Sequence, residues 1–218
     1  MNKYDNNILD FRLGDFLIAL SLLTRIPVNI DHHESGERAS KATWAYPLVG
    51  ALIGAISASI ANIAIFVGLP FSIGAILSLI TMAALTGGMH EDGLSDSADG
   101  LWGGKDKGQI LQIMKDSRIG SFGAIALVLI IVGRYASIKD LIQIESLFWP
   151  LIAAASISRV PMVAAMVFMQ NARADGLSAS VGKPSQISLI VAAVIGTITC
   201  LISAGILGLL VVLCACLG

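Results

Sequence analysis

The chain has 218 residues, of which 56 % are apolar and only 13 % charged, a balance far outside that of a soluble domain. A formal net charge of −1 excludes a nucleic-acid partner and strong electrostatic steering. Three cysteines, Cys200, Cys214 and Cys216, all fall in the last apolar run, where they read as small hydrophobes and not as a disulfide framework or a zinc site.

Asp5, Asp10, Arg12 and Asp15 interrupt the first turns, so the N-terminus does not read as a secretory signal and is expected to be retained. Residues 8–24 place Ile8, Phe11, Phe16, Leu20 and Leu23 among charges, and the continuous apolar core from Phe16 to Leu23 is too short to span a bilayer. An interfacial or re-entrant helix ending near Thr24-Arg25-Ile26-Pro27 is expected. Residues 29–43 are polar and read as a loop. His32-His33-Glu34 lacks the second ligand cluster that a metal site needs.

Tyr46–Leu69 is the first expected span, with Gly50, Gly54, Ala55, Ser57 and Ala58 as a small-residue packing face, and Pro70 marks a tight turn. Ile73–Met89 follows, broken by Thr86-Gly87-Gly88. Phe122–Ile138 is a third span with Arg134 near its far end, where a long cation can snorkel to the interface. A short polar turn covers 139–146. Leu147–Met169 is a fourth span with Ser156, Ser158, Arg159 and Pro161 in its middle, and 170–186 is a polar loop. Ile187–Leu217 is longer than one helix needs, so it reads as a span to about Ser203, a turn at Gly205 and a second span stopping at Gly218. The fold class is therefore an all-α, polytopic membrane bundle of five to six spans plus the N-terminal helix, in a single domain over 1–218. Loops 25–45, 90–121 and 170–186 share one side and carry nine Lys and Arg residues against two on the other, which makes that side cytoplasmic.

Residues 90–120 hold ten of the 29 Asp, Glu, Lys and Arg residues. Asp92, Asp96 and Asp99 recur at i, i+4, i+7, which on a helix places them within about 60° of one another. Three like charges on one face are unfavourable unless a cation sits among them. Oxygen ligands favour Mg²⁺, which takes one or two carboxylates and completes its shell with water and phosphate oxygens. His90 points about 160° from Asp92 on the same helix, which makes it a poor ligand and argues against zinc. A solvated helix end is the bland alternative, but the segment directly follows a membrane span and is rich in glycine.

Lys115-Asp116-Ser117-Arg118 precedes Ile119-Gly120-Ser121, where the next span starts, and reads either as an anion cradle or as a flanking basic anchor. Arg159 lies at mid-span, where a cation is costly and either functional or part of an internal ion pair. Lys183, in Gly182-Lys183-Pro184, is a weaker phosphate candidate. Carboxylate-held metal with nearby anion donors points to phosphoryl or nucleotidyl-phosphate transfer, which needs charge neutralised and partners aligned more than a reactive side chain.

At these residues the chain resembles the cobalamin synthase family, adenosylcobinamide-GDP ribazoletransferase. The resemblance lies in Gly87-Gly88-Met-His90-Glu-Asp92-Gly93-Leu-Ser-Asp96-Ser-Ala-Asp99-Gly100 and in Ile113-Met-Lys115-Asp116-Ser117-Arg118-Ile-Gly120-Ser-Phe-Gly123. Weaker similarity covers Leu23-Thr24-Arg25-Ile-Pro27, Tyr46-Pro47-Leu-Val-Gly50, Ser158-Arg159 and Gly182-Lys183. The resemblance implies a Mg²⁺-dependent enzyme of the inner membrane that joins adenosylcobinamide-GDP to α-ribazole or its 5′-phosphate and releases GMP. Carried over, Asp92, Asp96 and Asp99 hold the metal. Arg118, Lys115 and Arg159 offset phosphoryl charge, with Arg25, Ser117 and Lys183 as further substrate contacts. His90 or Asp116 takes the hydroxyl proton. Membrane lipid and other cobalamin-synthesis enzymes are the expected partners. Family members continue past residue 218 with a Gly-Asp-containing stretch and a last helix, so the chain reads as short at its C-terminus. A CDP-alcohol phosphotransferase is the runner-up, but 90–120 lacks that family's Ala-Arg element. A transporter would carry its acids at mid-membrane within internal repeats, and a scaffold is the remaining class.

Overall fold

The computed structural model describes residues 11–30 and 32–204, which are helical with short connections. The expected turn at Gly205 and the last span lie outside the described residues, as do Ile8, Cys214 and Cys216. Four helical stretches are long and apolar enough to cross a membrane, Lys41–Phe66, Ser121–Gln143, Phe148–Phe168 and Gln186–Ser203, and a bent pair makes up to five. The chain divides into two compact units, residues 1–54 with 152–218, and residues 55–151.

The first unit begins with α1 (Leu13–Leu23), the short apolar helix expected from the sequence. It ends where the Thr24 hydroxyl donates to the Leu20 carbonyl at 2.7 Å. Residues 29–43 are not a plain loop, because α2 (His32–Arg38) and a 3₁₀ helix (Lys41–Ala45) form there. The reason is a buried ion pair. Asp15, fully buried, accepts from Arg38 Nε at 2.9 Å and Nη2 at 3.1 Å, and from Trp44 Nε1 at 3.1 Å. Its Oδ2 also accepts the Arg12 backbone N–H at 3.0 Å, tying the first turn of α1.

α3 (Tyr46–Phe66) enters this unit through Gly50, where an added Cβ would run into the backbone carbonyl of Ala155 on α8 (Phe148–Ile157). That close approach is what the small-residue face provides. α8 is interrupted at Ser158-Arg159, where α9 (Val160–Phe168) begins with Pro161 in its first turn, and together they make the expected span, Phe148–Phe168. α10 (Leu177–Val181) interrupts the polar loop, and α11 (Gln186–Ala204) closes the unit, with Cys200 packed on Ala153 and Ile157.

In the second unit, the end of α3 turns through Gly68, at φ 88°, and Pro70 into α4 (Phe71–Thr86). α4 packs against α7 (Ser121–Gln143) around Ala58, Ala61, Ala75, Ile138, Ile142 and Leu147. α7 extends five residues past the expected Ile138, so Arg134 is an interior residue of the span and not a snorkelling end. It pairs with Glu91 at 2.7 Å instead.

Candidate active site

The acidic segment is a helix, α5 (Met89–Gly103), followed by α6 (Lys107–Ile113). Its start is dictated by two glycines. Gly87 and Gly88 have φ of 66° and 73°, a left-handed conformation that side-chain-bearing residues adopt at a cost. The Gly88 N–H closes α4 on the Ala83 carbonyl at 2.9 Å, and the Gly88 carbonyl then accepts from Asp92 N at 2.8 Å to open α5. The chain bends by 87° between the two helices, as in a broken span or a re-entrant loop.

α5 then packs along α7. Three of its residues, four apart, face that helix. Glu91 meets Arg134, Ser95 lies against Gly123, and the Asp99 carboxylate receives the backbone N–H groups of Gly120 at 2.7 Å and Gly123 at 2.9 Å. An anion at a helix N-terminus satisfies orphan N–H donors and meets the positive end of the helix dipole. The donors expected to cradle a ligand anion at the start of α7 are therefore occupied by a carboxylate of the same chain. Gly123 is required by this contact, since a Cβ there would lie 2.9 Å from the Ser95 backbone carbonyl and closer still to two side chains. We expect Gly123→Ala to destabilise the α5–α7 contact by about 1–3 kcal/mol, because backbone cannot swing aside. A lower melting temperature in detergent checks this, and an unchanged one would refute it.

The spacing does put Asp92, Asp96 and Asp99 on one face of a continuous helix. Even so, no group of three or more His, Cys, Asp or Glu side chains among the described residues is placed to hold a metal ion. Two physical reasons account for this. Residues 92 and 99 are about 10 Å apart along the helix axis, and Asp99, 8 % exposed, is turned into α7. Asp92, exposed, and Asp96, half-buried, are one turn apart and about 40° apart around the helix. Two carboxylates one turn apart, one of them exposed, fit Mg²⁺, which prefers a few protein oxygens with water and phosphate completing its octahedron.

The Lys115–Arg118 stretch links α6 to α7. Arg118 Nη2 donates to Asp116 Oδ2 at 2.6 Å, its Nε to both carboxylate oxygens at 3.1 Å, and its backbone N to Oδ1 at 3.1 Å. These hydrogen bonds hold the Asp116 carboxyl below the usual carboxylate range, and the same partnership raises the Arg118 guanidinium. Asp116 is thus a weak base that fixes the Arg118 fork. Lys115 and Ser117 are exposed. His90 is half-buried in the first turn of α5.

Arg25, Arg159 and Lys183 belong to the first unit. Arg25 and Lys183 are exposed, the latter just after Gly182 at φ 84°. Arg159 is buried at the α8–α9 break, where Nη1 donates to the Ala155 carbonyl at 3.0 Å and to Ser158 Oγ at 2.8 Å. The carbonyl freed by the broken helix explains part of the attraction of a cation to mid-span. Glu91, Ser95 and Arg134 were missed by the sequence reading, although Glu91 and Ser95 keep the i, i+4 spacing with Asp99.

The fold and this site define a polytopic helical membrane protein with an acidic helix entered through a bent, glycine-hinged pair. The chain belongs to the cobalamin-5-phosphate synthase family, whose model matches residues 15–218. It is therefore a member of an enzyme family. Relatives named adenosylcobinamide-GDP ribazoletransferase include those of Bradyrhizobium diazoefficiens, 37 % identical over 88 % of this chain and 74 % of the relative, and Mesorhizobium japonicum, 40 % identical over 87 % and 73 %. A Vibrio cholerae relative of the same name is 37 % identical over 81 % and 67 %. No solved structure matches.

Proposed function

We propose that the protein transfers the adenosylcobinamide phosphate group of adenosylcobinamide-GDP to α-ribazole or its 5′-phosphate, on the cytoplasmic side of the inner membrane and with Mg²⁺. A ribose hydroxyl attacks the phosphorus nearer the corrinoid, the bond to the GMP oxygen breaks, and GMP leaves. The observation that carries this is the placement of Asp92 and Asp96 one turn apart on a helix held against α7 through Asp99. Family membership supports the same reaction.

Asp92 and Asp96 hold Mg²⁺, which supplies charge neutralisation at the diphosphate when bound. Asp99 acts at one remove, fixing the angle of α5. Arg118, oriented by Asp116, and Lys115 offset charge on the phosphoryl oxygens, with Ser117 as a nearby donor. His90 and Asp116 are the two candidates to accept the hydroxyl proton, and the hydrogen bonds from Arg118 weaken Asp116 for that role. Arg25, Arg159 and Lys183 are the proposed substrate cations of the first unit. The loop charge bias supports the cytoplasmic orientation.

GMP release from adenosylcobinamide-GDP by membranes carrying the protein tests the proposal. Release is expected to need α-ribazole, to stop on chelation and to return with Mg²⁺. Release undiminished by chelator would remove the metal, and no release with both substrates and Mg²⁺ would remove the transferase.

A further inference from the structure

α5 is entered through Gly87 and Gly88, both at positive φ, and glycine is the residue least able to hold a direction by itself. The rotation of α5 is therefore left to its contacts with α7, which come at two polar anchors. Near the far end, Asp99 accepts the N–H groups of Gly120 and Gly123. In the first turn, Glu91 Oε1 accepts from Arg134 Nη1 at 2.7 Å. The two anchors are about 12 Å apart along the helix axis.

Stability does not account for the second anchor. Arg134 is an interior residue of α7, where a cation is costly, and Ile80, Ala83 and Ile131 line the same cleft as the pair. Only one oxygen of Glu91 is used. The other, Oε2, is buried without a hydrogen-bond partner among the described residues. An ion pair left half-satisfied is no better for stability than two packed apolar side chains of similar volume. What the charges supply instead is direction. An apolar contact tolerates a helix that slides or turns, whereas a 2.7 Å charge contact among apolar neighbours does not.

We propose that Glu91 and Arg134 are positioning residues: their ion pair sets the rotation of α5 about its own axis, and with it the direction of Asp92 and Asp96. The consequence for the metal rests on the reading of those two aspartates given above. Asp92 follows Glu91, and Asp96 follows Ser95, by about 100° around the helix. Any turn that releases Glu91 from α7 therefore carries both aspartates with it.

The test uses the full chain in nanodiscs. For distances, Cys200, Cys214 and Cys216 are replaced by alanine, and nitroxide labels are placed at two exposed sites, Leu94→Cys on α5 and Ile144→Cys at the end of α7. A rotation of α5 by about 40° displaces a side chain on its surface by about 4 Å. Arg134→Gln should shift or broaden the label-to-label distance by about that much. So should the double variant Glu91→Leu with Arg134→Leu, which strands no charge and so keeps the fold. Arg134→Lys, which keeps the charge, should stay near the wild type. In the unlabelled chain, Mn²⁺ followed by electron paramagnetic resonance probes the Mg²⁺ site, and it should bind Arg134→Gln and the double variant about tenfold more weakly than the wild type. The sign separates positioning from charge, because removing a nearby cation by itself strengthens divalent-cation binding, and the double variant leaves the net charge unchanged. An unchanged label distance in the double variant, or Mn²⁺ held as tightly as by the wild type, would overturn the assignment. A wild type that binds no Mn²⁺, with the labels still displaced in the variants, would instead sink the metal reading and keep the pair as the device that orients α5.

Discussion

Asp96→Asn is expected to lower GMP release by at least about a hundredfold, the scale on which loss of one preorganised charge contact acts in phosphoryl-type chemistry. The amide keeps the shape of the side chain but removes the charge that would draw the proposed divalent cation to residues 92 and 96. Membrane abundance and melting temperature should stay near those of the wild type, since Asp96 is half-buried at the rim of α5. Asp99→Asn should behave the other way round. Its carboxylate accepts from both Gly120 and Gly123, and an amide can accept with only one oxygen while presenting N–H to the other donor. A stability loss of about 1–2 kcal/mol is expected there, as for other lost helix caps. Full turnover in Asp96→Asn, or a loss of turnover without loss of stability in Asp99→Asn, would reverse the division of labour between the two aspartates.

Asp15→Ala should be the most destabilising single change outside the acidic face. It leaves the Arg38 guanidinium buried without its carboxylate and removes the acceptor of Trp44 and of the Arg12 N–H. Breaking one half of a buried pair costs about 3–5 kcal/mol, most of it from the stranded charge. Domains are stable by only about 5–15 kcal/mol in total, so a sharp fall in detergent melting temperature and in yield is expected. Replacing both partners, Asp15→Leu with Arg38→Met, should recover much of the loss because no charge is then stranded. A single variant as stable as the wild type, or a double variant no better than the single, would show that the pair carries little of the fold.

The run of apolar residues at Tyr46–Phe66 and at Gln186–Ala204 is legible in the chain because lipid demands length and hydropathy and little else. The acidic face of α5 is equally legible, since i, i+4, i+7 is a property of helix geometry alone. The bend at Gly87-Gly88 is visible as a break but not as an angle. The far end of α7 lies beyond the expected Ile138 for a related reason. Lys139 and Asp140 look like a turn in sequence, yet they continue the helix because Ile138 and Ile142 still pack on α4.

Charges are the least legible feature of the sequence. Asp15, Arg38, Glu91, Arg134 and Asp99 are each polar in sequence, and each is absorbed by a partner far along the chain. Composition and periodicity by themselves determined that this is a helical membrane protein and which residues of α5 share a face. Only the tertiary structure decided that Asp99 and Glu91 are consumed by contacts with α7. A carboxylate's fate depends on the donor opposite it, and the backbone N–H groups of Gly120 and Gly123 reach Asp99 only once α7 is laid against α5.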